Sequence, residues 1–263
     1  MDRLKGNHPP MPPISAEDRT PSTRFRSNEA FAMRFIAPPV QVALVLVAGL
    51  IGSGLLVVVR TLWTWNLDYA FLVWNLGLAT IPLVLSSLIV WQTHWISRTI
   101  LAPVWLLFLP NSPYLVTDLI HLRSVNSGPL WLDVLMVSSC AGTGLALGYF
   151  SLLQIQSLFV RAHRAQLGWL VAAGALFLCG FGIYLGRFLR WRSVDLFLDP
   201  LRLGSDIAER LLNPSIHYRA WGVTLGFGTL LCLGYALFTT SAMATGRVSL
   251  ALEPNGPSNG TRG

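Results

Sequence analysis

The sequence predicts an all-α, polytopic transmembrane helix bundle with about six spans. Of its 263 residues, 53% are hydrophobic and only 12% are charged, about half the charged share of an average soluble domain. So few polar residues cannot cover a soluble globule of this size. The apolar residues also gather in long runs, and a helix needs roughly 20 of them to cross a hydrocarbon core. Composition and run length together indicate a chain surrounded by lipid.

The chain divides into two polar tails and an apolar body. Residues 1–37 are basic and proline-rich, and we expect a disordered tail there. No apolar core follows Met1, so this tail does not resemble a cleaved signal peptide. We expect the helix bundle over 38–246 and a second disordered tail over 247–263. Five apolar runs in the body are long enough to span: 38–59, 69–91, 131–155, 167–189 and 221–243.

A less regular segment between the second and third runs is the candidate for one more span. Its clean apolar part, Ile100–Leu109, is too short to cross alone. If helix resumes after Pro110 and continues to Leu122, the segment forms a kinked span of about 23 residues; otherwise it is re-entrant. Lys and Arg collect on the cytoplasmic side, and they divide 14 to 5 in the re-entrant model but 11 to 8 with six spans and a cytoplasmic N-terminus. Charge favours the re-entrant alternative and length favours six spans, which we adopt.

The longest connection, about 190–220, is also the most charged. We predict a short helix over Asp206–Leu212, with Asp206 as the N-cap and Glu209 at the third helical position. Such a segment is expected to lie on the membrane surface rather than cross the bilayer.

Polar residues concentrate in "LPNSPYLVTDLIHL", Leu109–Leu122. Pro110 disfavours helix at the residue before it, so the preceding helix should end or kink there. Asn111 is a good N-cap, which predicts that a new helix starts at Ser112. The stretch therefore indicates a helix break followed by a restart.

One face of the restarted helix carries its polar side chains. Tyr114, Asp118 and His121 follow one another at i, i+4 and i+7. A charge at membrane depth costs about 2.5 to 3.5 kcal/mol and usually faces protein or water. Asp118 and His121 could share a proton, bind a cation or orient a substrate. Alternatively, both are solvated at the interface, or Asp118 pairs with an arginine that fixes the bundle.

Arginines follow an apolar helix in "GFGIYLGRFLRWRSVD", Gly180–Asp195. Guanidinium groups suit bidentate binding of carboxylate or phosphate, and Arg187 is the deepest of them. Its candidate partners are a lipid phosphate, an anionic substrate or Asp118; the alternative is a helix end with arginines that reach to the interface. The candidate polar site comprises Asn111, Tyr114, Asp118, His121, Arg187, Arg190 and Asp195. No metal site is predicted, because one Asp and one His are too few ligands, and the cofactor question stays open.

The formal net charge of +7 is scattered between the apolar runs. Anionic lipid headgroups are therefore better expected partners than nucleic acid.

Three GxxxG pairs predict close helix packing among the last three spans. These pairs are Gly144–Gly148, Gly182–Gly186 and Gly222–Gly226.

At the two polar stretches the sequence resembles a family of bacterial integral membrane proteins called domain of unknown function 1361. The resemblance rests on "FLPNSPYLVTDLIHL" (Phe108–Leu122) and "GIYLGRFLRW" (Gly182–Trp191), and it extends from about residue 45 to 240. It implies a multi-pass protein of the bacterial cytoplasmic membrane and no established activity.

Three functions fit these patterns. The first is a small transporter or substrate-handling membrane protein, in which the helix restarted after Pro110 faces a cavity. The second is a membrane-embedded enzyme for a lipid or isoprenoid phosphate, with Asp118 and His121 in acid/base roles and Arg187 on the phosphate. The third is a structural subunit without catalysis. The sequence names no substrate and does not decide whether the protein is an enzyme.

Overall fold

The structure, a computed structural model, describes residues 40–123, 129–191 and 198–251. Every regular element in these ranges is a helix, which confirms the predicted all-α fold. The elements are, in chain order, α1 (Val40–Thr64), α2 (Phe71–Trp91), α3 (Trp95–Phe108), α4 (Asn111–Thr117), a 3₁₀ helix (Asp118–Arg123), α5 (Leu130–Arg161), α6 (Ala165–Phe188), α7 (Pro200–Leu212) and α8 (Tyr218–Ala251).

The two predicted tails fall mostly beyond this part of the chain. Residues 1–37 lie outside the described residues, and so do residues 252–263. Helix α8 extends to Ala251, beyond residue 246, where the predicted bundle ends.

Six helical segments are long and apolar enough to cross a membrane, as the sequence predicts. The third, Trp95–Leu122, has 28 residues and consists of α3, α4 and the 3₁₀ helix. Its length suits a full crossing, since about 20 residues are sufficient. The third span is therefore broken at Pro110, as predicted, but it starts at Trp95 rather than Ile100.

The break at Pro110 differs in detail from its prediction. Pro110 has helical backbone angles and occupies the N-cap position of α4, so Asn111 is the first helical residue. The amide nitrogen of Asn111 donates to the Phe108 carbonyl, 2.9 Å away, at the end of α3. The predicted N-cap role of Asn111 is therefore wrong. Proline fits the cap position because the missing N–H would have no partner there.

The long helix α5 packs against α1, α2, α4 and α6, and α6 packs against α8. Two serine hydroxyls connect α2 to this centre. Ser112 donates to the carbonyl of Ala79, and Ser151 donates to the carbonyl of Pro82. Pro82 lies inside α2, so both serines bind carbonyls close to this proline, although the missing N–H of Pro82 itself affects the Leu78 carbonyl, four residues earlier.

The GxxxG pairs do not mediate the packing that they predict. Gly144–Gly148 and Gly182–Gly186 contact the broken third span, where an added Cβ would lie 2.7 to 2.9 Å from its atoms. An added Cβ at either glycine of Gly222–Gly226 would meet nothing within 4 Å. Helices α6 and α8 approach instead at Gly180, where a Cβ would lie 2.6 Å from the Thr224 carbonyl oxygen. The first two GxxxG pairs therefore let α5 and α6 pack closely against the broken third span.

Helix α7 begins earlier than predicted. Its first residue is Pro200, and its N-cap is Asp199, whose Oδ1 accepts from the Arg202 N–H at 3.3 Å. Asp206, the predicted cap, lies in the middle of the helix. An aspartate followed by a proline strongly favours the start of a helix. The helix therefore begins at Pro200 and not at the later capping pattern.

Candidate functional site

Asp118 is the buried centre of the site. It follows α4 at the first position of the 3₁₀ helix and is 1% exposed. Its Oδ2 accepts from the amide of Asn75 in α2 at 3.2 Å. Its Oδ1 accepts from Nη2 of Arg187 in α6, also at 3.2 Å. One carboxylate thus joins three spans.

Arg187 lies one residue before the end of α6 and reaches across to α4. Its Nη2 donates both to Asp118 and to the Thr117 carbonyl, and its guanidinium lies over the Tyr114 ring, 5.4 Å from the centroid. Its Nε and Nη1 donate to no described residue. With 21% of the side chain exposed, part of the guanidinium is open for another partner.

Gly186 lets the Tyr114 ring approach α6. An added Cβ at this glycine would lie 2.9 Å from Cε2 of Tyr114, closer than such atoms pack. The aromatic face beneath Arg187 therefore depends on the residue before it, which lacks a side chain.

His121 forms the exposed edge of the site. Its Nδ1 lies 3.9 Å from Asp118 Oδ1 and 3.3 Å from the Asp118 carbonyl oxygen. The first distance is too long for a hydrogen bond, so the two side chains do not share a proton in this arrangement. The imidazole lies 5.1 Å from the ring of Phe71, centroid to centroid, and is 35% exposed.

The structure brings together four of the seven predicted site residues: Tyr114, Asp118, His121 and Arg187. The other three are placed differently. Asn111 lies at the helix break and binds Phe108. Arg190 is exposed just after α6, in a left-handed conformation with φ 62°, and Asp195 lies outside the described residues.

A second ion pair escaped the sequence analysis. Arg60 Nε donates to Asp133 Oδ1 at 2.8 Å, and the two side chains are 1% and 2% exposed. Arg60 also donates to Thr64, four residues later. The sequence does show Arg60 near the end of the first apolar run and Asp133 at the start of the run that forms α5. No local pattern, however, shows that these two helices are neighbours.

An aromatic row connects the two ion pairs. The Arg60 guanidinium lies 5.0 Å from the centroid of the Tyr69 ring; Tyr69 lies 6.3 Å from Phe71, and Phe71 lies 5.1 Å from His121. Burial, followed by the negative charge of Asp133, raises the pKa of Tyr69 above its usual value of 10.0. Both pairs therefore lie at one end of the bundle, where α1 and α6 end. This end, which also carries α7, is called the α7 end below.

The described part of the chain shows neither a polar cavity at the helix break nor a cluster of metal ligands. A void of about 10 Å³ beside the helix break presents apolar surface from Leu109, Pro113, Cys179 and their neighbours. The break is thus packed, and the restarted α4 faces no polar cavity there. No three described His, Cys, Asp or Glu side chains are grouped closely enough to hold a metal ion.

Comparison with known proteins identifies the family. A family model described as "Protein of unknown function (DUF1361)" matches residues 74–233, which include Asn75, Asp118, Asp133 and Arg187. No curated protein and no solved structure matches the chain. Because the match covers more than half of the sequence, the chain belongs to this family.

Proposed function

We propose that this DUF1361 protein is a multi-pass integral membrane protein that handles a polar, anionic substrate at the α7 end of its helix bundle. The substrate contacts the open side of Arg187, while Asp118 and Asn75 hold that arginine from behind. His121 borders the same opening.

One observation carries the proposal: the Asp118–Arg187 pair is closed on one side only. Asp118 is buried, whereas the Arg187 side chain is 21% exposed and donates to described residues from only one of its three nitrogens. A pair that only holds helices together does not need an arginine that is partly exposed. A preformed, partly open arginine suits anion binding.

The position of the pair favours binding at the headgroup level over a transport site at the bilayer midplane. Arg187 and Asp118 lie close to the ends of their spans, Phe188 and Leu122. Transporters place their sites near the midplane at broken helices. Here the break at Pro110 lies near the middle of its span. It leaves no open site, because Gly148 and Gly182 of the neighbouring helices pack closely against it.

A structural role is the second candidate, and it has an observation of its own. Both oxygens of Asp118 accept hydrogen bonds from the protein, and these bonds join α2, α4 and α6. In this alternative Asp118→Asn weakens the fold and has no separate effect on a substrate.

The test uses a strain that lacks the gene, rescued with variants of the full chain. Untargeted mass spectrometry of extracts and medium compares wild type with Asp118→Asn and Arg187→Met at equal amounts of folded protein. We expect neither variant to restore the wild-type profile. Asp68→Asn is the matched control, because Asp68 is an exposed carboxylate between α1 and α2, and it should restore the profile. Full rescue by Asp118→Asn and Arg187→Met would contradict the proposal.

We further infer a bacterial cytoplasmic membrane with the N-terminus on the cytoplasmic side, so that the α7 end faces outward. With six spans, 11 of the 19 basic residues then lie inside, in the direction that the charge rule prefers. The two tails, 1–37 and 247–263, would both be cytoplasmic. Green fluorescent protein fused to either terminus should fluoresce, and alkaline phosphatase inserted between α6 and α7 should be active. The reverse pattern would contradict this orientation.

A further inference from the structure

We propose that the anionic substrate is a lipid whose phosphate binds the arginines around Trp191 and whose acyl chain lies along α7. This inference rests on the proposed function, because it names the substrate class of the same site.

Helix α7 is fixed beside the site through Trp191. The indole Nε1 donates to Asp206 Oδ2 of α7 at 2.9 Å. On its other side, the carbonyl oxygen of Trp191 lies 3.6 Å from the Cβ position of Gly186, which also faces Tyr114, the ring beneath Arg187. Trp191 therefore contacts both α7 and the residue that precedes Arg187.

Three arginines lie close to Trp191 along the chain or in space. Arg187 offers its open guanidinium edge. Arg190 precedes Trp191 and is exposed, and its left-handed backbone is costly for a residue with a side chain. Arg202 of α7 lies over the indole ring, 5.8 Å from the centroid. Guanidinium groups are the side chains best suited to bidentate phosphate contacts.

The charge near Trp191 is positive among the described residues. Asp118 is paired with Arg187, and Asp206 accepts from Trp191 and lies 3.4 Å from Arg210. Arg190 and Arg202 form no ion pair with a described residue. Arg190 and Arg202 thus add positive charge near Trp191 that no described carboxylate pairs with, and such charge suits a phosphate group.

The outer face of α7 is apolar and uncovered. Leu201 is 86% exposed and Leu212 is 78% exposed, and their spacing of eleven residues places them on one side of the helix. Leu203, about 200° around the helix, is buried against the bundle. Because α7 lies in the chain between two spans, α6 and α8, we expect its leucines where headgroups meet acyl chains, the depth at which amphipathic helices bury their apolar face.

These two surfaces together specify an amphiphile. A water-soluble anion would contact only the arginines, whereas an amphiphile would also contact the apolar face that Leu201 and Leu212 present. A lipid phosphate uses both, because one molecule carries an anionic headgroup and an apolar chain. The source of the phosphate is therefore the leaflet at the α7 end.

The test measures binding to the purified full chain in a neutral detergent, by native mass spectrometry and by thermal stabilisation. The probes are oleoyl lysophosphatidic acid, glycerol 3-phosphate and oleoyl lysophosphatidylcholine. We expect the first to bind at least about tenfold more tightly than the other two, which corresponds to 1.4 kcal/mol. Arg202→Gln and Leu201→Ser should each weaken its binding several-fold. Arg219→Gln, which removes an exposed arginine at the start of α8, is the matched control and should not.

Each outcome decides the inference. Equal binding of glycerol 3-phosphate would make the substrate a soluble anion, which overturns the lipid assignment and leaves the proposed function standing. Equal binding of lysophosphatidylcholine, or binding indifferent to Arg202→Gln and Leu201→Ser, would overturn the inference as well. If Asp118→Asn also restored the deletion strain fully, the proposed function itself would fail.

Discussion

Two ion pairs at the same end of the bundle differ in how completely the protein encloses them. In the Arg60–Asp133 pair, the side chains are 1% and 2% exposed, and Thr64 and Tyr69 complete the surroundings of the arginine. In the Asp118–Arg187 pair, the acid is equally buried but the arginine is 21% exposed. The first pair is closed, and the second is partly open at its arginine.

The difference separates structural from functional charge. A closed pair in lipid fixes which helices are neighbours, since an unpaired charge at that depth is expensive. In the open pair the carboxylate of Asp118 accepts hydrogen bonds from the protein, while part of the Arg187 guanidinium is exposed and can bind another group. The same chemistry, Arg with Asp, therefore serves two purposes, and exposure distinguishes them better than residue type.

The largest expected effect follows from disrupting the closed pair. Arg60→Met leaves Asp133 buried without its counter-charge, and we expect a loss of about 3 to 5 kcal/mol in the free energy of unfolding. Unfolding in mixed micelles with rising SDS measures it. The double variant Arg60→Met with Asp133→Leu is the control and should recover most of the loss, because both charges are gone. Equal stability of the single and the double variant would show that Asp133 does not depend on Arg60 for its counter-charge.

Disrupting the open pair should cost less stability. Arg187→Met leaves Asp118 with its Asn75 hydrogen bond, and we expect a loss of about 1 to 3 kcal/mol in the same assay. Arg187→Lys restores the charge but not the planar fork, so it should regain stability without restoring the cell profile. If Arg187→Met were as damaging as Arg60→Met, the two pairs would not differ as their exposures indicate.

A smaller effect is expected where Gly186 admits Tyr114. Gly186→Ala places a Cβ 2.9 Å from the Tyr114 ring, and because only the edge of a side chain must move, we expect a cost of about 1 kcal/mol. The displaced ring should weaken substrate handling by Arg187. Gly222→Ala meets nothing within 4 Å and is the matched control for both readouts. Identical behaviour of the two variants would show that the ring under Arg187 is dispensable.

The smallest expected effect is a dependence of stability on alkaline pH near the closed pair. Burial raises the pKa of Tyr69 above 10.0, so above about pH 10 the unfolded chain loses this proton before the folded chain does. Stability should therefore fall as pH rises through that range. Tyr69→Phe, which cannot ionise, should lose less stability than wild type between pH 9 and 11 in the micelle assay. Equal losses would show that Tyr69 does not report on the closed pair.

The helix bundle was largely predictable from sequence, because crossing a hydrocarbon core imposes a length that an apolar run displays directly. The break at Pro110 followed from the geometry of proline. The capping assignments at Asn111 and Asp206 failed, since in each case a proline and its neighbour set the helix start. Local preferences compete at such positions, and tertiary packing decides among them.

The candidate site was half predictable. Helical spacing placed Tyr114, Asp118 and His121 on one face, and Asp118 was among the partners considered for Arg187. The Arg60–Asp133 contact was missed because it depends on α1 packing against α5, a neighbour relation that no periodicity in one segment reveals. Exposure, which distinguishes the two pairs, is likewise a property of the assembled bundle.

The most direct test compares Asp133→Asn with Asp118→Asn in the deletion strain, with rescue of the cell profile normalised to folded protein. The same substitution then probes the closed and the open pair. We predict that Asp133→Asn lowers the amount of folded protein while the remainder rescues at the wild-type level. Asp118→Asn should leave most of the protein folded and fail to rescue. If Asp118→Asn rescued fully per folded molecule, the open pair would be structural like the closed one, and the central claim would be contradicted.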